Sequence, residues 1–258
     1  MQADSKAAGP EGAAEGQKDT RERRSAPAAA EGQGAAERVG APAADTARLL
    51  LVRHGQSLSN VGGVFTGQTD VPLSALGEKQ AAALCGYLLR TYIIDAVYAS
   101  DLQRAVATVQ PTADALGLPI RRERALREID GGAWEGEPVS FIAQHYAADY
   151  ALWREDIGLA RCTGGESMRA LQARAAAAAE DIAARSLGKT VLIATHAAFL
   201  RALLCYWQNV PLEGMKDVPW VPNASVTEVL WRKKEAPVVR PAEYSFLHGQ
   251  VTRLASGI

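Results

Sequence analysis

The segment Arg48-Leu-Leu-Leu-Val-Arg-His-Gly55 decides how the chain is read. Its apolar run lacks polar alternation, the pattern of a central strand covered on both faces, and it ends on Arg53 and His54 before a glycine. Outward from it, helices and strands alternate. Ser74 is placed to cap a helix from Ala75 to about Thr91, Ile94 to Ala99 reads as a second strand, and Asp101 to Leu116, closed by Gly117, as a second helix. Glu166 to about Leu187 forms a long Ala-rich helix closed by Gly188, Lys189 to Thr195 a third buried strand, and Ala197 to Trp207 another helix. Ser225 to Trp231 and Glu243 to Leu247 read as late strands. This alternation predicts one α/β domain with a largely parallel sheet and helices on both faces.

The domain is expected to occupy residues 48–258. Residues 1–47 hold no aromatic side chain and only Val39 as a β-branched aliphatic, too little apolar surface to offset chain entropy, so they are expected to be disordered. Their acids (Asp4, Glu11, Glu15, Asp19, Glu22, Glu31, Glu37) and the lack of an apolar core argue against a targeting peptide, and no later stretch has the length of a membrane span. With 28 Lys+Arg against 29 Asp+Glu, the chain offers no bulk basic field, so neither nucleic acid nor a membrane surface is expected as a partner. Cys85, Cys162 and Cys205 have neither disulfide-framework nor zinc-site spacing and read as reduced thiols of a cytoplasmic protein.

In this architecture the ligand crevice lies beyond the carboxyl ends of the strands. Arg53-His54-Gly55, Ser100 to Arg104 and Thr195-His196 should therefore converge, bringing two arginines and two histidines together. Guanidinium forks match phosphate oxygens, so Arg53 and Arg104 suit a phosphoryl group. A neutral imidazole whose other nitrogen is held by an acceptor can attack phosphorus, the role given to His54. Gly55 would let the backbone approach the phosphate, and Ser57 and Asn60 would add donors. A protonated His196 would stabilise charge on the equatorial oxygens. Ester cleavage also needs a proton for the leaving alkoxide, for which Glu123, Glu128, Asp130 and Glu135 are the candidate acids.

These residues belong to a longer ordered series. Leu51-Val-Arg-His-Gly-Gln-Ser57 with Asn60, Thr66-Gly-Gln-Thr-Asp-Val-Pro-Leu73, Ser100-Asp-Leu-Gln-Arg-Ala105 with Thr108, Leu126-Arg-Glu-Ile-Asp-Gly-Gly-Ala-Trp-Glu-Gly136, Gly164-Gly-Glu-Ser167 and Thr195-His196 together resemble the histidine phosphatase superfamily, in its phosphoglycerate mutase-like branch. The resemblance covers about residues 48–206 and extends to small phosphatases such as α-ribazole phosphatase. It implies a three-layer α/β/α sandwich, no cofactor and no metal. His54 would be the phosphorylated nucleophile, Arg53, Arg104 and His196 the phosphate pocket, Glu128 the proton donor, and Thr66 and Gly67 part of the substrate-binding set. The chain departs from the pattern at Ala197-Ala198, where glycine commonly follows the second histidine, and at Gln56, where Glu is frequent.

The leading function is hydrolysis of a small phosphomonoester through a phosphohistidine. The alternative is a phosphoglycerate mutase using the same intermediate; a silent phosphate binder is the third reading. Mutases of this branch usually carry a Pro-rich run after an Arg pair downstream of the glutamate, and residues 137–163 contain neither. That segment is expected to form a helical cover that sets specificity together with Val64, Phe65 and Thr66. Trp134, Trp153, Trp207 and Trp220 read as core or rim, and His145 and His248 fit no motif.

Overall fold

Leu49 and Leu51 turn to one face of the central strand, Leu50 and Val52 to the other, and all four are buried. Apolar helices are needed on both sides of such a strand, and the computed structural model, which describes residues 38–252, supplies them. Residues 1–37, most of the stretch expected to be disordered, lie outside the described residues.

Strand β1 (Thr46–Arg53) starts two residues before the expected position. A short helix α1 (Leu58–Gly62) follows, then α2 (Ala75–Thr91), β2 (Ala96–Ala99), α3 (Gln103–Leu116) and an edge strand β3 (Ile120–Arg122). Next come α4 (Val139–His145) and α5 (Ala147–Glu155), the helical segment expected between 137 and 163, then α6 (Met168–Ala184), β4 (Thr190–Thr195) and α7 (Ala197–Trp207). Strands β5 (Val226–Arg232) and β6 (Val238–Val239) close the sheet.

The strand order is β3-β2-β4-β1-β5-β6. The first four run parallel, β5 pairs antiparallel with β1, and β6 antiparallel with β5. On one face α2 and α3 bring Leu84, Leu88, Val106 and Val109 against Leu50, Val52, Val97 and Leu192. On the other, α6 and α7 bring Leu171, Ala175, Phe199 and Leu203 against Leu49, Leu51, Val191 and Ile193. The result is a three-layer α/β/α sandwich. Each fully buried leucine contributes roughly 1.5–3 kcal/mol, so both layers are held mainly by apolar burial.

Caps set the helix ends. Ser74 accepts from the Gly77 amide to start α2, Ser167 from the Ala170 amide to start α6, and Gly117 ends α3 in the left-handed region at φ 65°. Helix α6 stops at Ala184, and Gly188 instead shapes the turn into β4. The strand expected at 243–247 is absent. Only Glu243 pairs, with Val226, and Ser245–Leu247 form a 3-10 turn. Phe246 and Leu247 both enter the same core layer, which alternating strand residues cannot do.

Candidate active site

Strand β1 ends at Arg53 and β4 at Thr195, and these two residues are register partners. The next residue on each strand is therefore a histidine at the same height. The His54 amide donates to the Thr195 carbonyl at 2.9 Å, and the two imidazole centroids stand 5.1 Å apart. Nδ1 of His54 lies 2.7 Å from the Gly55 carbonyl. A carbonyl only accepts, so Nδ1 carries the proton and Nε2 presents a lone pair. Burial, then the charges of Arg104 and Arg53, hold His54 well below the usual imidazole range, so the ring is neutral near pH 7. His196 is likewise pushed well below that range by burial and by Arg104, and neither of its ring nitrogens has a hydrogen-bond partner among the described residues.

Arg53 is 3% exposed; its Nη1 donates to the Val221 carbonyl at 2.7 Å, while Nε has no partner. Burial lowers this guanidinium to about 10, against the opposing pull of Glu128, so it remains charged. Arg104 is also buried, and its two terminal nitrogens donate to the carbonyls of Thr69 and Gly67 at 2.8 and 2.7 Å. Each of those nitrogens keeps a second hydrogen. Thr108, one turn along α3, accepts from the Gly55 amide at 2.8 Å and donates to the Arg104 carbonyl at 2.7 Å, tying the loop after β1 to α3.

Glu128 lies across the N-terminus of α7. One carboxylate oxygen accepts from the Ile129 and Phe199 amides and the other from the Ala198 amide, each at 3.0 Å. Amides at a helix start suit a carboxylate both as donors and through the helix dipole. Arg174 braces the same segment, donating to the carbonyls of Ala125, Arg127 and Glu128 while paired with Glu166 at 2.8 Å.

A cavity of about 650 Å³, including its open mouth, is lined by Arg53, His54, Asn60, Thr66, Glu128 and Ala197 together with an apolar wall of Val64, Phe65, Ile129, Val139, Trp153 and Trp220. Arg104 and His196 are not among its lining residues, and the charge of Arg104 acts on His54. Trp134 is fully buried, edge-on to Phe65 and Trp153. Ser57 and Asn60 cap each other at the start of α1, and Ser57 does not reach the cavity. At Gly55 a side chain would meet the Gly77 carbonyl of α2 at 2.9 Å, so this glycine serves helix packing. A Cβ at Gly67 would collide with the Ile129 carbonyl.

Two organising residues had gone unassigned. Glu135 gathers the amides of Gly67, Gln68, Thr69 and Gly131 and the Thr69 hydroxyl, shaping the loop whose carbonyls hold Arg104. Its place among the acids of segment 126–136 was the available signal. Asn223 donates to the His54 carbonyl at 2.8 Å, and no motif marked it.

The profile of the Histidine phosphatase superfamily (branch 1) matches residues 49–243. The chain belongs to that superfamily. Phosphoserine phosphatase 1 of Hydrogenobacter thermophilus is 33% identical over 165 residues, 64% of this chain and 78% of the relative. The 2,3-bisphosphoglycerate-dependent phosphoglycerate mutase of Cytophaga hutchinsonii is 32% identical over 175 residues, 66% of this chain and 81% of the relative. Among solved structures, Bacillus stearothermophilus YhfR superposes with a TM-score of 0.69 at 30% identity, over 74% of this chain and 98% of that one. In this histidine phosphatase superfamily member the described residues contain no group of three or more His, Cys, Asp or Glu arranged to hold a metal ion, and no helix among them is long and apolar enough to cross a membrane.

Proposed function

We propose that this chain is a phosphomonoester hydrolase acting on a small phosphorylated metabolite through a phosphohistidine. The observation that carries the reading is the fixed tautomer of His54: its Nδ1 is committed to the Gly55 carbonyl, leaving Nε2 as nucleophile beside His196. Arg53, Arg104 and His196 hold the phosphoryl group. His54 Nε2 attacks phosphorus in line as the ester P–O bond breaks, and Glu128 gives its proton to the departing oxygen. The amide on the second Glu128 oxygen leaves that oxygen a lone pair for the proton. Glu128, now a carboxylate, takes a proton from water, which cleaves the P–N bond and restores neutral His54 with inorganic phosphate as product.

Hydrolysis is preferred to mutation because the cavity wall beyond the phosphate groups is apolar. Apart from Arg53 it has no cation to hold the carboxylate of a phosphoglycerate next to the reacting phosphate. Thr66 lines this cavity and Gly67 anchors Arg104, which keeps both in the substrate-binding set. The free thiols of Cys85, Cys162 and Cys205 support a cytoplasmic setting.

The test is phosphate release from a panel of phosphomonoesters, with 3-phosphoglycerate isomerisation followed with and without 2,3-bisphosphoglycerate. Release that disappears in His54→Ala is the expected result. Isomerisation without release would establish a mutase, and neither activity would establish a silent binder.

A further inference from the structure

Beside the reaction cavity lies a second one, of about 770 Å³ including its open mouth, and the two share Trp153 and Trp220 as a common wall. Three side chains lining it are cationic, Arg154, Arg201 and Lys216, and none is acidic. Arg201 is only 7% exposed. One terminal nitrogen donates to the Lys216 carbonyl at 2.9 Å, and the guanidinium lies 4.4 Å from the centre of the Trp220 ring. Its Nε is buried and has no partner among the described residues. Asp217 acts on Arg201 through space, but among the described residues no carboxylate forms an ion pair with Arg154, Arg201 or Lys216.

Buried arginines are ordinarily paired, because removing a guanidinium from water without a counter-charge is unfavourable. Here the unpaired cation faces a cavity with two more cations at its rim. Helix α7 relates this place to the reaction site. Ala197 lines the first cavity and Arg201 the second, one helical turn along the same face, a rise of about 6 Å. Trp153 and Arg154 are likewise consecutive on α5.

We propose that Arg154, Arg201 and Lys216 form a second oxyanion subsite, and that the substrate carries a carboxylate or second phosphate at the end remote from its reacting phosphate. The substrate half of this inference rests on the phosphatase reading. The shared aromatic wall separates the two anions, so the middle of the molecule runs along Trp153 and Trp220. The subsite is therefore assigned to an anion carried on a spacer long enough to follow that wall.

The experiment compares hexyl phosphate with its 6-carboxylate counterpart in the wild type, in Arg201→Met, and in Arg154→Ala/Lys216→Ala, whose changes lie at exposed positions and keep the test open if the buried substitution prevents folding. The expected result is a kcat/KM ratio favouring the carboxylate by about tenfold or more in the wild type, collapsing toward one in both variants. In parallel, calorimetry with inorganic sulfate reads the subsite without turnover: two equivalents for the wild type, one for the variants. A ratio near one with the second sulfate still lost in the variants assigns the subsite to a free anion and overturns the substrate half. One sulfate throughout, with a ratio the variants do not alter, overturns the proposal. Two equivalents in a protein that hydrolyses no ester would sink the phosphatase reading while the subsite stands.

Discussion

The imidazole planes of His54 and His196 are inclined by 57°, and only one of the two rings is anchored to the backbone. Neighbours of the same residue type are thereby made chemically unequal. His54 has one nitrogen committed as a donor and one available for attack; His196 has neither nitrogen committed to a partner among the described residues.

This inequality predicts different losses. His54→Ala should abolish both turnover and acid-labile labelling of the protein by a phosphate donor. His196→Ala should lower kcat by about two to four orders of magnitude yet still take up label on His54. Quenched-flow labelling of the two variants decides it, and label retained in His54→Ala would remove His54 from its assigned role.

Glu128→Gln should show its effect through the leaving group. Turnover of an alkyl phosphate, whose alkoxide must be protonated, is expected to fall by about 10²–10⁴. Turnover of 4-nitrophenyl phosphate, whose leaving group needs no proton, should fall far less. Equal losses on both substrates would show that Glu128 acts on the structure of the α7 start instead of on the departing oxygen.

Glu135 is a positioning residue: it holds the amides of residues 67–69, and the carbonyls of Gly67 and Thr69 in turn hold Arg104. Glu135→Ala should weaken competitive inhibition by inorganic phosphate about tenfold or more while kcat changes less, with Glu135→Gln intermediate. A purely structural role would lower the melting temperature without raising the inhibition constant.

Thr108→Val removes the acceptor of the buried Gly55 amide at unchanged volume. A buried donor left unpaired costs about 1–3 kcal/mol, so the urea midpoint should shift accordingly, and Thr108→Ser should restore most of it. A Val variant as stable as the wild type would mean that the amide finds another partner.

Stability should also depend on pH in a defined window. Burial, followed by neighbouring arginines, holds both His54 and His196 below their ordinary value of 6.5 in the folded chain. The unfolded chain therefore binds more protons as pH falls through 6.5, and stability declines toward acid, on the order of 1 kcal/mol per histidine per pH unit. Above that value the effect vanishes. Melting temperatures from pH 8 to 5 should be level and then fall, and inorganic phosphate should flatten the slope by letting His196 keep a proton in the fold. A level profile down to pH 5 without phosphate contradicts this.

Much of the fold was legible because its signals are local. The unbroken Leu49–Val52 run marks a strand with two covered faces, and Ser74, Ser167 and Gly117 mark helix ends by their own chemistry. Strand β3 was not legible: it is three residues long, two of them arginine, and at the sheet edge. The Phe246-Leu247 pair misled because adjacent apolar residues resemble a strand, whereas Phe246 stacks on Tyr87 at 4.5 Å from a turn. In the site, residues at strand ends could be read from topology. The pairing of Glu135 with the 67–69 loop could not, since it is made mostly to backbone amides 66 to 68 residues earlier, whose direction side-chain identity does not reveal.

The pairing of Arg53 with Thr195 has a last consequence. Neighbouring strands lie about 4.7–4.9 Å apart, so the spacing of the two histidines follows from the pitch of the sheet. The histidine pair is thus carried by the frame, while Val139 and Trp153 of the cover between Gly136 and Gly164 join the cavity wall. Evolution, or an engineer grafting a different cover onto this frame, is free to exchange one guest for another while the reacting distance stays as the backbone set it.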